Sequence, residues 1–245
     1  MQIDSIRVDG GVGLQGKVRI QGSKNACLPM MAATLLTNGV TFLHNCPKIS
    51  DVFQMKQLLC SMGCEIRETN RGMSIDTGRV HFEKMPSEAV QGMRSSICML
   101  GALLGRCGEV CMEYPGGCVI GARPIDMHLD ALEKMGAVFH MGKELICGKV
   151  EDGFRGADIV FPKVSVGATE NVIMAAVLAK GRTRIFRAAK EPEVEALCQY
   201  LVKCGAKIQG IGSDRLVIDG VDNLHGCEMR IPADRIVAGT YLFAA

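Results

Sequence analysis

Residues 28–39 read LPMMAATLLTNG, residues 96–108 read SICMLGALLGRCG and residues 171–181 read NVIMAAVLAKG. Each stretch carries an apolar helical pattern and ends in glycine, the residue that most often follows a helix in the left-handed conformation. A strand-like run comes directly after each glycine: VTFLHN, EVCMEY and RTRIFR. One pattern that recurs three times predicts a fold built from copies of a single α/β unit.

Each copy continues with a second helical pattern and then a hairpin. The second helical patterns end at Gly63, Gly136 and Gly205. Beyond each glycine, two β-patterned runs are separated by turn residues, which is the usual signal of a hairpin. These turns lie at residues 70–72, 142–143 and 212–214. Each unit is therefore predicted to run β-α-β-α-β-β, with a strand pattern such as KVRI (residues 17–20) at its start.

The second unit is longer than the other two. The two glycines of a unit are separated by 24 residues in the first and third copies and by 28 in the second. The extra residues fall in or near residues 113–126, EYPGGCVIGARPID. Inserted loops on a repeated scaffold commonly carry function. The spacing therefore predicts a functional loop at this position.

A fourth unit begins near the end of the chain. Residues 229–245 (MRIPADRIVAGTYLFAA) resemble residues 18–33 at the head of the first unit, and a basic residue follows in each, Arg235 and Lys24. We expect this unit to be cut inside its first helix. The apolar face of that helix would then need a partner from further chain or from another molecule.

Composition excludes several classes of protein. The 245 residues are 48% hydrophobic and carry a net charge of +2, so the chain is expected to bury a core and to lack the basic face of a general nucleic-acid-binding protein. No run reaches the roughly 18 apolar residues of a membrane span, and the first residues have no apolar signal segment. These features predict a cytoplasmic protein that binds neither nucleic acid nor membrane.

Twelve cysteines are present, and no CxxC pair exists among them. A disulfide framework is not expected in a chain of this length without a secretory signal, and no metal site or cofactor is predicted. Most cysteines are predicted to be small, buried apolar residues in a reducing compartment. Those in helix-like apolar patterns are Cys27, Cys60, Cys98, Cys198 and Cys204.

A basic residue stands just ahead of the first helix of each unit: Lys24, Arg94 and Lys163. Glycine, serine and threonine surround all three. A helix N-terminus offers free N–H groups and the positive end of the helix dipole, and a nearby cation adds charge-assisted hydrogen bonds. A single such lysine would be an ordinary surface residue, but the threefold recurrence favours a site for phosphate or carboxylate.

Cys118 lies in the inserted loop, after Gly116 and Gly117 and five residues before Arg123. A loop cysteine beside a guanidinium is expected to have a lowered pKa and to react as a nucleophile or a proton donor. His128, near the start of the next helix, is either a packing residue or a ligand contact. Asp126 either caps that helix or accepts hydrogen bonds from a ligand.

Residues 11–16 (GVGLQG) match the letters of a dinucleotide-binding motif. The motif requires a helix directly after it and an acidic residue about 20 positions on. Neither is present, and the same stretch fails the P-loop pattern because Val18 stands where that pattern needs serine or threonine. These glycines are interpreted as turn residues.

Five segments together resemble the UDP-N-acetylglucosamine 1-carboxyvinyltransferase family of enolpyruvyl transferases. They are QGSKNACLP, MRSSICMLG, PGGCVIGARPIDMHL, PKVSVGATENVIMAA and ADRIVAGTYL. The resemblance covers the whole chain. It implies an inside-out α/β barrel fold of two domains, each made of three β-α-β-α-β-β units around buried helices. Residues 21–230 would form one complete domain, while residues 1–20 and 231–245 would belong to a second, truncated domain.

The resemblance also implies roles for individual residues. Cys118 would be the general acid, would form a covalent adduct with phosphoenolpyruvate and would be the target of fosfomycin, with Lys24 and Arg123 as the other catalytic residues. The implied substrate-binding residues are Lys24, Asn25, Arg94, Arg123, Pro124, Ile125, Asp126, Met127, His128, Lys163, Val164, Ser165, Val166, Gly167, Asp234 and Arg235. No metal or cofactor is implied.

The implied substrates are phosphoenolpyruvate and UDP-N-acetylglucosamine. The catalytic base of the family is an aspartate that this sequence lacks, so the chain alone is expected to be inactive. Val237 replaces a carboxylate found in many members of the family. Two alternatives stay open at this point: a UDP-sugar-binding module without catalysis, and a half-enzyme completed by a partner chain. Self-association through an exposed inter-domain face is also expected.

Overall fold

Three units of similar helix and strand order follow one another along the chain. The computed structural model describes residues 5, 7–11, 13–81, 85, 87–116 and 125–244. The first unit contains α1 (Lys24–Ala33), a 3-10 turn (Thr34–Leu36), β1 (Thr37–Asn38), β2 (Val40–His44), α2 (Ser50–Ser61), β3 (Glu65–Thr69) and β4 (Gly72–Asp76). The second contains α3 (Ser87–Gln91), a 3-10 turn (Arg94–Cys98), α4 (Met99–Cys107), β5 (Glu109–Glu113), α5 (Asp126–Lys134), β6 (Ala137–Met141) and β7 (Leu145–Val150).

The third unit contains β8 (Asp158–Val160), α6 (Val166–Ala176), β9 (Arg182–Phe186), α7 (Pro192–Lys203), β10 (Lys207–Gln209) and β11 (Arg215–Asp219). The chain then forms β12 (Leu224–His225), β13 (Glu228–Arg230) and α8 (Arg235–Ala244). The six glycines that define the repeat in the sequence all have φ angles between 74° and 107°. The predicted α/β fold of three units is confirmed.

The glycine-terminated helix of each unit (α1, α4 and α6) lies in the core, and the helix that follows it (α2, α5 and α7) packs on the outside. Every residue of α1 from Ala26 to Ala33 is buried, as is every residue of α6 from Ala168 to Ala176. α4 packs against both of these helices. By contrast, α2, α5 and α7 bury one face each. A helix that is apolar on all sides is stable only when it is surrounded, so these sequences dictate the central position of α1, α4 and α6.

Four sheets form within the described residues, one of them the parallel pair of β1 and β12. The three larger sheets cover the helices, and their strand orders are β13-β2-β4-β3, β5-β7-β6 and β10-β11-β9-β8. In the third sheet, β8 pairs in parallel with β9, and in the first sheet β13 pairs in parallel with β2. The strand that leads into α8 therefore completes the sheet of the first unit. Strand residues alternate between buried and exposed positions, as expected for sheets with one face on the core.

The strand predicted at residues 17–20 does not form. These residues lie outside any strand and are largely exposed. No strand among the described residues pairs with them. A strand pattern without a neighbouring strand has no partner for its backbone hydrogen bonds.

The cysteine prediction is confirmed in part. Cys27, Cys98, Cys198 and Cys204 are buried free thiols, but Cys60 is exposed, because α2 turns Leu58 and Leu59 to the core instead. Among the described cysteines one pair is not free, although no disulfide framework was expected. Cys111 and Cys147 face each other on β5 and β7 and are joined by a disulfide. Direct opposition across two strands depends on the register, which cysteine spacing does not reveal.

None of the helices in the described part of the chain has both the length and the apolar character needed to cross a bilayer.

Candidate active site

The three basic residues that precede the central helices line one cavity. Lys24 is the first residue of α1, Arg94 begins the 3-10 turn that leads into α4, and Lys163 lies three residues before α6. All three border a cavity of about 750 Å³. The repeat therefore gathers three cations at one place, because the N-terminal ends of three packed helices meet there.

Serine side chains cap the N-termini of two of these helices, α1 and α6. Ser23 caps α1 by accepting a hydrogen bond from the N–H of Ala26 at 3.3 Å, and Ser165 caps α6 by accepting one from the N–H of Ala168 at 3.4 Å. The remaining first-turn N–H groups have no partner within their own helix. With the helix dipoles, they make this end of the molecule suited to an anion.

Other predicted site residues lie around the same cavity. Those that border it are Asn25, Ile125, Met127, His128, Val164, Ser165, Val166 and Gly167. Asp126 borders an adjoining cavity of about 300 Å³, which it shares with Met127 and Lys163. The segments before α5 and before α6 thus form one continuous wall.

Asp234 and Arg235 are not among the residues that border the cavity. Asp234 accepts hydrogen bonds from the N–H of Lys24 at 3.3 Å and from the N–H groups of Ile236 and Val237 at 2.8 and 3.2 Å. Arg235 forms a bidentate ion pair with Glu193, at 2.9 and 3.1 Å. In this structure, Asp234 therefore fixes the start of α1 and of α8 and positions Lys24 through its backbone.

Sequence reasoning missed Asp51, which lies in the first turn of α2. Its carboxylate is 3.1 Å from Nζ of Lys24, and it borders the cavity. Lys24 is part-exposed, so this ion pair contributes little to stability. It holds the lysine ammonium at the mouth of the cavity. The contact joins two helices of one unit, and no local pattern signals it.

His128 is a buried donor whose tautomer is fixed by Asn171. The Asn171 side chain accepts the N–H of Gly101 at 2.7 Å through its oxygen, which leaves its amide nitrogen to donate to the carbonyl of Ile97 at 3.0 Å. The same nitrogen lies 2.9 Å from Nδ1 of His128. Nδ1 therefore accepts, and in the neutral ring Nε2 carries the proton. His128 can donate that proton to a ligand in the cavity.

Burial keeps this imidazole neutral. His128 is 7% exposed. Burial first, and the charge of Arg94 second, lower the pKa of His128 to about 4. At neutral pH the residue can therefore offer a ligand a hydrogen bond but no charge.

The inserted loop runs from β5 to α5 and comprises residues 114–125. The corresponding loops of the other units, residues 45–49 and 187–191, are shorter by seven residues. Cys118, Arg123 and Pro124 lie outside the described residues. Near the two ends of the loop, the guanidinium of Arg94 donates to the carbonyl of Pro115 at 3.1 Å, and Ile125 borders the cavity.

A larger cavity of about 1030 Å³ lies elsewhere, beside β2, β4 and α2. Arg19, Lys48, Lys56, Arg71 and Arg230 line it. None of the predicted site residues that the structure describes borders it, and the one helix N-terminus on its described lining is that of α2. Its size alone does not make it the better candidate, so the cavity at Lys24, Arg94 and Lys163 is the candidate active site.

The chain belongs to the EPSP synthase (3-phosphoshikimate 1-carboxyvinyltransferase) family, whose model matches residues 8–245. Curated relatives named UDP-N-acetylglucosamine 1-carboxyvinyltransferase include one from Acinetobacter baylyi, 45% identical over 99% of this chain, and one from Granulibacter bethesdensis, 47% identical over 99% of this chain. The chain spans 58% of the length of each of these relatives, and it matches their N-terminal portion.

Solved structures of the same class have the same fold. The enolpyruvyl transferase NikO from Streptomyces tendae superposes with a TM-score of 0.85 at 20% identity, over 96% of this chain and 56% of that protein. An EPSP synthase from Acinetobacter baumannii gives a TM-score of 0.75 at 18% identity, over 94% of this chain and 52% of that protein. At these identities the likeness establishes the enolpyruvyl transferase fold alone.

Proposed function

We propose that this chain serves in the transfer of the enolpyruvyl group of phosphoenolpyruvate to the 3-hydroxyl of UDP-N-acetylglucosamine, the first committed step of peptidoglycan synthesis. The observation that carries the proposal is the cavity where Lys24, Arg94 and Lys163 meet. Both substrates are anions, one with a phosphate and a carboxylate and the other with a diphosphate. Family membership and the names of the relatives support the same activity.

The reaction is an addition followed by an elimination. The sugar hydroxyl attacks C2 of phosphoenolpyruvate and loses its proton to a base, while C3 gains a proton from a general acid. C3 then loses a proton and phosphate leaves, which restores the double bond. We assign the general acid to Cys118, and the contacts to phosphoenolpyruvate to Lys24 and Arg123. Lys163 and the start of α6, residues 164–167, would hold the diphosphate.

The catalytic base is not assigned to any residue of this chain. We therefore expect the purified chain to bind UDP-N-acetylglucosamine weakly and to release no phosphate from phosphoenolpyruvate above the blank. Phosphate release that depends on both substrates, and that is lost in Cys118→Ser, would contradict the second expectation.

Titration calorimetry tests the binding proposal. We expect one molecule of UDP-N-acetylglucosamine per chain and an affinity about tenfold lower in Lys163→Met, because a charge-assisted contact to phosphate is lost. Lys143→Met is the matched control, since Lys143 lies exposed in the turn between β6 and β7. Equal weakening in both variants, or no binding by the wild-type chain, would refute the proposal.

We also propose that α8 mediates self-association. None of its residues is buried, and Leu242 and Phe243 are 78% and 97% exposed. An apolar helix face left in water favours association. Light scattering should therefore show a dimer or larger species that becomes monomeric in the double variant Leu242→Ser, Phe243→Ser. A wild-type chain that stays monomeric at high concentration would contradict this.

A further inference from the structure

Glu170 lies on α6, three residues beyond Gly167, and borders the same cavity as the three cations. It is only 6% exposed. Its Oε1 atom has no hydrogen-bond partner among the described residues. A buried polar atom without a partner is rare in a folded protein, because its desolvation is not compensated. The unpaired Oε1 of Glu170 therefore indicates a position where a ligand group can form a hydrogen bond.

The charges that shift the pKa of Glu170 are those of other acidic side chains. Leu28, Ile97 and Cys98 border the cavity alongside it. Burial, followed by the carboxylates of Glu193 and Glu191, raises the pKa of Glu170 well above its ordinary value. Glu193 is itself engaged with Arg235. These effects all disfavour the charged carboxylate, and the protonated form would offer one O–H donor and one carbonyl acceptor.

This chemistry differs from that of the rest of the cavity. Lys24, Arg94 and Lys163 supply positive charge, which suits phosphate and carboxylate groups. The buried, unpaired Oε1 of Glu170 instead suits an uncharged hydrogen-bonding group, such as an amide or a hydroxyl. A site that buries such a group discriminates strongly against ligands that leave it unpaired.

We propose that Glu170 is a specificity-determining residue that hydrogen-bonds the uncharged, amide- and hydroxyl-bearing sugar of a nucleotide sugar bound in this cavity. The inference rests on the proposed function, because it takes the ligand to be UDP-N-acetylglucosamine. Glu170 is assigned no part in proton transfer.

Two variants of the full chain test the proposal: Glu170→Met, which keeps the volume but removes both hydrogen-bonding groups, and Glu170→Gln, which keeps a neutral donor and acceptor. Calorimetric titrations with UDP-N-acetylglucosamine and with UDP separate the sugar from the nucleotide. We expect Glu170→Met to bind UDP-N-acetylglucosamine about tenfold more weakly and UDP with unchanged affinity. Glu170→Gln should bind both ligands within about twofold of the wild type.

Thermal unfolding separates this role from a structural one. Replacing a buried, unpaired carboxyl by an apolar group of similar size should leave the melting temperature unchanged or higher. The inference is overturned if Glu170→Met binds UDP-N-acetylglucosamine as the wild type does, or if it loses affinity for UDP and UDP-N-acetylglucosamine equally. If the wild type and Glu170→Met bind UDP-N-acetylglucosamine equally well, only this inference fails. If the wild type binds neither ligand, the proposed function fails as well.

Discussion

The Gly101→Ala variant should lose about 4 kcal/mol of unfolding free energy. This loss exceeds the usual cost of overpacking because the added methyl group would clash with backbone atoms, which cannot move aside as a side chain can. A Cβ atom at Gly101 would lie 2.2 Å from the carbonyl oxygen of Asn171. Relief of that clash requires α4 and α6 to move apart at the centre of the core. Urea unfolding followed by circular dichroism measures the change.

Gly239→Ala is the matched control, since Gly239 also lies inside a helix but has no atom of the described residues within 4 Å of the added methyl group. Alanine is the better helix former, so this variant should be neutral or more stable by up to about 1 kcal/mol. A Gly101→Ala protein as stable as the wild type would show that α4 and α6 do not pack at this distance.

Acidification should destabilise the wild-type chain through His128 by about 3 kcal/mol between pH 6.5 and pH 4. Burial lowers the pKa of His128 in the folded chain to about 4, from an ordinary value of 6.5. In that interval the unfolded chain binds a proton at this residue and the folded chain does not. Stability from this source is therefore fully present above pH 6.5 and is lost progressively as the pH falls towards 4.

The His128→Asn variant isolates this contribution. An asparagine oxygen takes the place of Nδ1 as the acceptor for Asn171 but does not titrate. We expect the unfolding free energy of the wild type to fall more steeply than that of His128→Asn as the pH decreases from 6.5 to 4. All other titrating groups are common to both proteins. Parallel pH profiles would contradict a neutral, buried His128.

The repeat made most of the fold predictable. The glycine-terminated apolar stretches identified α1, α4 and α6 as core helices, because such sequences are stable only when surrounded. The insertion was correctly located between β5 and α5. The spacing of the glycines underestimates the length of this connection. α5 is shorter than α2 and α7, so the distance between the two glycines of the unit grows by less than the connection does.

Features set by contacts between segments distant in the sequence could not be read from it. β13 pairs with β2 of the first unit, and the register of β5 and β7 places Cys111 opposite Cys147. In the candidate site, the pattern identified the cations at the helix ends. It did not reveal Asp51 or Glu170, because each acquires its role only when a second helix packs beside it.

Hydrogen–deuterium exchange with and without UDP-N-acetylglucosamine tests the central claim most directly, because it reports where the ligand binds. The N–H groups of Val166 and Gly167 lie at the free end of α6, so a bound diphosphate should slow their exchange. We expect protection at residues 163–169 and 125–130 and none at residues 68–73. Protection confined to residues 68–73, beside the larger cavity, or no protection at saturating ligand, would contradict the assignment of this site.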